Sequence, residues 1–367
     1  MNIKTTDLQK VVNLAINGCG QNSQIPITQL FGIRTLKTQD GNFLVVGSTD
    51  TINYLYAKTK IESDEAIDIC INANVFTQLV NKFTTDTINL TLKEKYLLVE
   101  ADGEYKLELA LLDNGELLKF PRNANLEITA YPEPKVIKTE KFRKLVAYGK
   151  DALATMENEV DLNGYFVNDD MLISTNRKIM VALKDTLGLN AVLRRKFVDL
   201  ICGSKDDEVY FYELDDRNFL VIDTTMNIYS SINSPVENYP SKQISNVINN
   251  SEFEAHFKID AKKLMNILDR VSLVVTKYEA DIIELTVSEG LLFVSSMKST
   301  GAETLELLPA TEGKEINPEF VWTGKINCEW LETQLGTFDK EIIDLYIGNK
   351  ICIKLVQDDV SKLICLA

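Results

Sequence analysis

Six stretches of this 367-residue chain carry apolar residues at helical spacing. They begin near residues 5, 72, 138, 190, 260 and 323. In residues 5–18, Leu8, Val11, Val12 and Ala15 form one stripe, with Thr5 or Thr6 placed to cap its start and Gly18 its end. In 72–83, Val75, Phe76, Leu79 and Val80 do the same. The others cover 138–151, 190–205, 260–279 and 323–337. Between them the pattern switches to alternation and short apolar runs, as in 43–61, 96–112, 208–224, 282–297 and 342–356. Asp102-Gly103, Glu289-Gly290 and Gly348-Asn349 are hairpin signals, because Gly and Asn tolerate positive φ. A helix followed by three or four strands thus recurs six times, in pairs. Phe120-Pro121 closes the first pair and Tyr239-Pro240 the second. The periodicity predicts an α+β chain of three similar domains, 1–125, 126–248 and 249–367, each with two helices packed on antiparallel sheets. Linkers are expected near 121–134, which is proline-rich, and near 240–252, which is rich in Ser and Asn.

Composition narrows the chemistry. With 39 Lys+Arg against 54 Asp+Glu the net charge is −15, which excludes a uniformly basic nucleic-acid binder. His256 is the single histidine, so a His-ligated metal centre or a Ser/His/Asp triad would have to use it. The six cysteines, 19, 70, 202, 328, 352 and 365, form no Cys-x-x-Cys pair and read as buried thiols of a reducing cytosol. No secretory or membrane-spanning stretch is visible, which predicts a cytoplasmic protein without membrane partners. No phosphate-cradling glycine motif occurs, so no nucleotide cofactor is expected. The acidic groups Asp161, Asp169-Asp170, Asp206-Asp207-Glu208, Asp215-Asp216 and Asp358-Asp359 read as turn formers, so no metal site and no catalytic group are assigned.

The positive charge is unevenly placed. The six helical windows hold 16 Lys+Arg against 9 Asp+Glu, so the rest of the chain is more acidic than the whole. The bias is strongest in 138–151 and 190–205. A single helix of this kind is an ordinary solvated face. Six at regular spacing, gathered on one surface, would attract phosphate without reading sequence.

Certain motifs carry a resemblance. The run from Asp161 to Val167 (Asp-Leu-Asn-Gly-Tyr-Phe-Val) precedes Leu172-Ile-Ser-Thr-Asn-Arg-Lys-Ile-Met-Val-Ala-Leu183. Ile25-Pro26-Ile27, Gly47-Ser-Thr-Asp50, Leu193-Arg-Arg-Lys-Phe-Val-Asp-Leu200 and Tyr239-Pro240 fall in register with them. In order and spacing these motifs resemble the bacterial DNA polymerase III beta subunit, the sliding clamp. The resemblance implies three domains of the DNA-clamp fold and a pseudo-sixfold ring made by a head-to-tail homodimer. It implies a processivity factor, not an enzyme, that encircles duplex DNA. Its partners would be the polymerase and clamp-loader subunits, which dock short peptides, and it would need no cofactor.

Residue roles follow from the same resemblance. Arg194 and Arg195 match the basic pair facing DNA. Lys196, Lys141, Lys144, Lys82, Lys263 and Arg270 join them on helix charge. Tyr105 and Leu107 match the apolar pair of the first-domain edge strand at the ring interface, and Leu273 and Val274 match their partners. The peptide pocket would comprise Leu162, Thr175, Met180, Pro240, Leu363 and Ile364, residues that also read as plain core. Asn176-Arg177-Lys178-Ile179 departs from the family pattern at the pocket rim, and so does the final Leu363-Ile-Cys-Leu-Ala367. Two other readings stay open. A peptide-binding relative without a replication role would bind peptides yet stimulate no polymerase. A metal-dependent hydrolase would need turn carboxylates converging in space.

Overall fold

The computed structural model describes residues 1–20, 24–121, 123, 131–155, 157–273, 281–296, 301–309 and 320–367. Met1–Phe142 with Lys196–Asn233 form one compact unit, and Arg143–Arg195 with Ser234–Ala367 form another.

In the first unit a four-stranded sheet runs in the order β1 (Asn2–Lys4), β6 (Thr87–Leu92), β7 (Tyr96–Glu100), β8 (Glu104–Glu108). An eight-stranded sheet begins with β5 (Asp68–Asn72), β2 (Leu30–Thr38), β3 (Gly41–Thr49) and β4 (Asn53–Ile61). It continues through β16 (Ile228–Ile232), β15 (Asn218–Asp223), β14 (Glu208–Glu213) and β9 (Lys135–Lys138). In the second unit a nine-stranded sheet begins with β13 (Ala191–Arg194), β10 (Gly164–Val167), β11 (Leu172–Thr175) and β12 (Ile179–Leu183). It continues through β25 (Val360–Cys365), β24 (Cys352–Gln357), β23 (Ile342–Ile347), β17 (Ala255–Asp260) and β21 (Leu308–Pro309). A second four-stranded sheet runs β20 (Ala302–Glu306), β19 (Leu291–Ser296), β18 (Ile282–Ser288), β22 (Trp322–Asn327).

One pattern generates all four sheets. A three-strand meander carries, at one edge, a strand that leads directly into a helix. β1, β5, β9, β13, β17 and β22 precede α1 (Thr5–Ala15), α2 (Ala73–Val80), α3 (Thr139–Gly149), α4 (Arg195–Cys202), α6 (Ala261–Ser272) and α7 (Cys328–Leu335). The last meander strand forms the other edge. β4 pairs with β16 and β12 with β25 in antiparallel ladders, fusing four half-sheets into two long sheets.

The helices form where the apolar stripes lie. Leu8, Val11, Val12 and Ala15 of α1 are buried against Phe31, Leu44, Phe76 and Leu90. Side-chain caps come from Asn72 on the Val75 N–H (2.9 Å), Asp260 on Lys263 (2.8 Å) and Asn327 on Trp330 (2.9 Å). Thr5 is not the cap expected for α1. Lys4 holds that position, and the Thr5 hydroxyl donates instead to the Thr85 carbonyl (2.5 Å). Glu289 and Gly290, with φ of 51° and 75°, make the tight turn between β18 and β19. The expected linker over 240–252 is corrected to a seventh helix, α5 (Ser241–Asn250). Its Ile244 and Ile248 pack with Leu162, Phe166, Ile173, Ala182, Val192 and Tyr239. Cys70, Cys328 and Cys352 are buried and Cys19, Cys202 and Cys365 partly so; burial pushes the Cys70 and Cys328 thiols up to about 12.

Candidate functional site

Two meander edges are left over. Among the described strands, β8 pairs only with β7 and β20 only with β19. Tyr105 and Leu107 sit opposite Val99 and Leu97, which are fully buried, so both extend the core face of their sheet to its rim. Tyr105 is 37% exposed, its ring 5.4 Å from that of Phe83. An unpaired strand with apolar side chains at its rim is a template for another chain. Leu273, which caps the end of α6, is 82% exposed. Val274 lies outside the described residues.

The cations divide into two groups. Arg194 ends β13, and Arg195 and Lys196 open α4; all three are half-buried. The Arg195 N–H donates to the Asn163 carbonyl (3.2 Å), which fixes the start of the helix. Lys141 and Lys144 are half-buried on α3, and Lys82 is exposed just after α2. Lys263 and Arg270 on α6 are exposed but answered by carboxylates of their own unit. Lys263 Nζ lies 3.3 Å from Asp260, and Arg270 Nε donates to Glu303 on β20 (2.6 Å), with a second bond to the same carboxylate. That fork holds the Glu303 carboxyl below its ordinary range. On α6, therefore, two of the cations expected to face DNA are already engaged by carboxylates.

The six pocket residues share the nine-stranded sheet region but not one face. Thr175 lies opposite Met180, and Met180 opposite Leu363, a row across β11, β12 and β25. Ile364 pairs with Ile179 and points to the opposite face, because side chains alternate. Leu162 and Met180 belong to the cluster under α5. Leu162, Thr175, Leu363 and Ile364 are buried, while Met180 and Pro240 keep partial exposure. The rim residues are engaged by their own unit. The Asn176 carboxamide accepts the Ile179 N–H (2.8 Å), Arg177 lies 3.4 Å from Glu159, and Lys178 sits over the Trp330 ring (5.0 Å).

The turn reading of the acidic residues also has direct partners. Asp215 accepts the N–H groups of Arg217 (2.8 Å) and Asn218 (2.7 Å), and Asp206 accepts from the Thr224 N–H (2.6 Å). Among the described residues no group of His, Cys, Asp or Glu could hold a metal ion. No described helix is long and apolar enough to cross a membrane.

By sequence the chain matches no protein-family model and none of the curated proteins. By structure it matches along its whole length. The Pseudomonas aeruginosa DNA polymerase III subunit beta is 17% identical, with a TM-score of 0.81 over 100% of this chain and 99% of that one. DNA polymerase III beta from Thermotoga maritima is 15% identical (TM-score 0.82, 100% and 98%), and that from Streptococcus pneumoniae 16% (TM-score 0.81, 100% and 98%). A further Pseudomonas aeruginosa clamp structure, 16% identical, is bound to griselimycin. From end to end, this chain has the fold of the bacterial DNA polymerase III beta sliding clamps.

Proposed function

We propose that two copies of this chain close head to tail into a ring that encircles duplex DNA and tethers a polymerase. The unmatched pair of edges, β8 and β20, carries the reading. Six half-sheets of one design offer six meander edges, and four of these are consumed by the β4–β16 and β12–β25 ladders. A second copy, pairing its β8 with the first copy's β20 and the reverse, repeats the same junction twice and leaves no described meander edge over. A heterologous contact that closes in this way gives a ring and not a filament. Three repeats, 1–125, 126–248 and 249–367, then become six around the ring.

In this reading Arg194, Arg195 and Lys196, with Lys141, Lys144 and Lys82, face the phosphates and hold DNA without reading bases. At Lys263 and Arg270 phosphate would compete with Asp260 and Glu303. Tyr105, Leu107 and Leu273 fill the seam. Peptides of the polymerase and the clamp loader dock at Met180 and Pro240. The ring does no chemistry of its own and works in the cytoplasm.

Sedimentation tests the ring first. The native chain should run near twice 41.4 kDa, and Leu107→Arg, which puts a charge into the seam, should yield a folded monomer. A native chain that stays monomeric at micromolar concentration overturns the reading. Reversing Arg194, Arg195 and Lys196 to Glu should shorten polymerase runs on primed circular DNA while leaving the dimer intact. Unchanged runs would show that the DNA face lies elsewhere.

A further inference from the structure

The two long sheets contain the same turn at the same register. The Thr49 hydroxyl donates to the Asn53 carbonyl and the Thr175 hydroxyl to the Ile179 carbonyl, each at 2.8 Å. Asp50 and Asn176 accept the following N–H groups, and Thr51 and Arg177 hold positive φ of 82° and 72°. From each threonine a row of directly opposed residues crosses the sheet on the face opposite the α3/α4 or α6/α7 helices. In the eight-stranded sheet the row is Thr49, Tyr54, Ser230, Leu220, Tyr212. In the nine-stranded sheet it is Thr175, Met180, Leu363, Lys354, Tyr346, His256.

On the first row the chain places two residues of its own, Asn123 and Tyr131. Asn123 Nδ2 donates to Ser230 Oγ (2.8 Å), and the Tyr131 ring lies 5.4 Å from that of Tyr212. Ser230 and Leu220 are fully buried. In the second row the segment after Tyr239 turns into α5, which packs over Phe166, Ile173 and Ala182. Lys354, Tyr346 and His256 stay half-exposed. They form a built shelf: the His256 ring stacks on Tyr346 (4.0 Å, 7°), Phe253 flanks it at 6.0 Å, and Lys354 Nζ lies 5.6 Å from its centroid. Asp344 Oδ1, 2.9 Å from His256 Nε2, holds the imidazole.

We infer that this shelf takes an acidic peptide segment of a partner protein. An aromatic side chain of the peptide stacks at Tyr346, as Tyr131 does at Tyr212, and a carboxylate meets Lys354. Charge selects the occupant. Leu220 stands on β15 where the second row has Lys354 on β24, so only the second track asks for an anion. Burial, with the nearby Lys184, holds the Lys354 ammonium below the ordinary lysine range, a cost that a carboxylate relieves. The inference rests on the peptide-docking reading and extends it from Met180 across β25, β24 and β23 to β17.

Panning a library of random twelve-residue peptides on the intact protein tests it. Enriched sequences should place Asp or Glu close to an aromatic residue. Their labelled synthetic forms should bind Lys354→Glu at least about tenfold more weakly. Replacing the acidic residue by Lys should restore binding to that variant, which also excludes misfolding as the cause. Peptides that lose affinity on Met180→Glu yet ignore both Lys354→Glu and Tyr346→Ala overturn the shelf and leave docking at Met180 standing. No enrichment on the native chain overturns both.

Discussion

The two long sheets make the same junction and fill it with inverted volumes. In the eight-stranded sheet Gly32, Gly47 and Tyr56 lie in line, and Phe120 is laid into the trough the glycines leave. A Cβ on Gly32 would stand 2.2 Å from Phe120 Cγ. The nine-stranded sheet has Phe166, Ile173 and Ala182 at the matching positions, and Tyr239 stacks on Phe166 (5.2 Å, 12°). Both seated rings belong to aromatic-proline steps. Where the strands supply no side chain, the linker ring sinks to the backbone; where they supply a ring, the linker rides on top of it. On the helix side the comparison continues at Tyr229 and Lys362, each one residue before its row. Tyr229 donates to Asp223 (3.0 Å), whereas Lys362 reaches the Gln334 carbonyl (2.6 Å) and the Thr337 hydroxyl, with Phe338 4.2 Å from its ammonium. The lesson is that backbone pairing defines the junction, and side chains on either face are exchanged around it.

Substitutions that erase these differences should act in a definite order. Phe166→Ala removes the ring under Tyr239 and should cost about 3–5 kcal/mol in urea unfolding. A loss below about 1 kcal/mol would mean that Tyr239 sinks into the vacated space, as Phe120 does, and would make the two junctions interchangeable. Gly32→Val should cost about 1–3 kcal/mol by overpacking. Phe120→Ala, mild in its effect on that background, should recover part of the loss, and an additive double mutant would show that the trough is not the cause.

Lys362 separates the sheets by pH. Burial lowers its pKa to about 7, against the opposing pull of Asp151 and Asp339. Between that value and the ordinary lysine range the unfolded chain holds a proton that the folded chain has lost. Stability should therefore rise with pH above 7, by up to ~1.4 kcal/mol per pH unit. Lys362→Met should abolish that rise and be the more stable form at pH 6, where the ammonium is buried with its charge. Unfolding midpoints at pH 6, 7.5 and 9 check this; a native profile as flat as the variant's would refute it. The smallest effect is the most symmetric. Thr49→Val and Thr175→Val each remove one buried hydroxyl bond and should each cost about 1 kcal/mol. Unequal losses would break the equivalence of the two turns.

Much of this architecture was legible in the chain before its folding was known. All six helices with a clean apolar stripe fall inside their expected windows, because periodic burial is written locally in the sequence. α5 was not legible. It buries Ile244 and Ile248 from a background of Ser, Asn and Lys, and such a segment reads as a linker. The ladders β4–β16 and β12–β25 were also hidden, since alternation marks a strand without naming its partner. Arg270 looked like a DNA contact by helix charge alone, and its fork to Glu303 joins positions far apart in sequence. Phe120 and Tyr239 were visible as boundary marks, but the glycine pair beneath one and the phenylalanine beneath the other gave no sign of their shared role. His256 stood out only as the single histidine, and its grouping with Tyr346 and Lys354 was hidden because they come together only through the registers of β17, β23 and β24.

A junction made of peptide groups has a consequence for how such a molecule changes over evolutionary time. Main-chain amides do not mutate, so substitutions can accumulate on both sides of a seam while its ladder persists, and likeness at 13–17% identity over the full length is what that freedom permits. Insertions and deletions enjoy no such freedom. Removing one residue from β25 would turn Lys362 outward and Leu363 inward along the whole remaining strand, so the parity of these edges is what inheritance must guard.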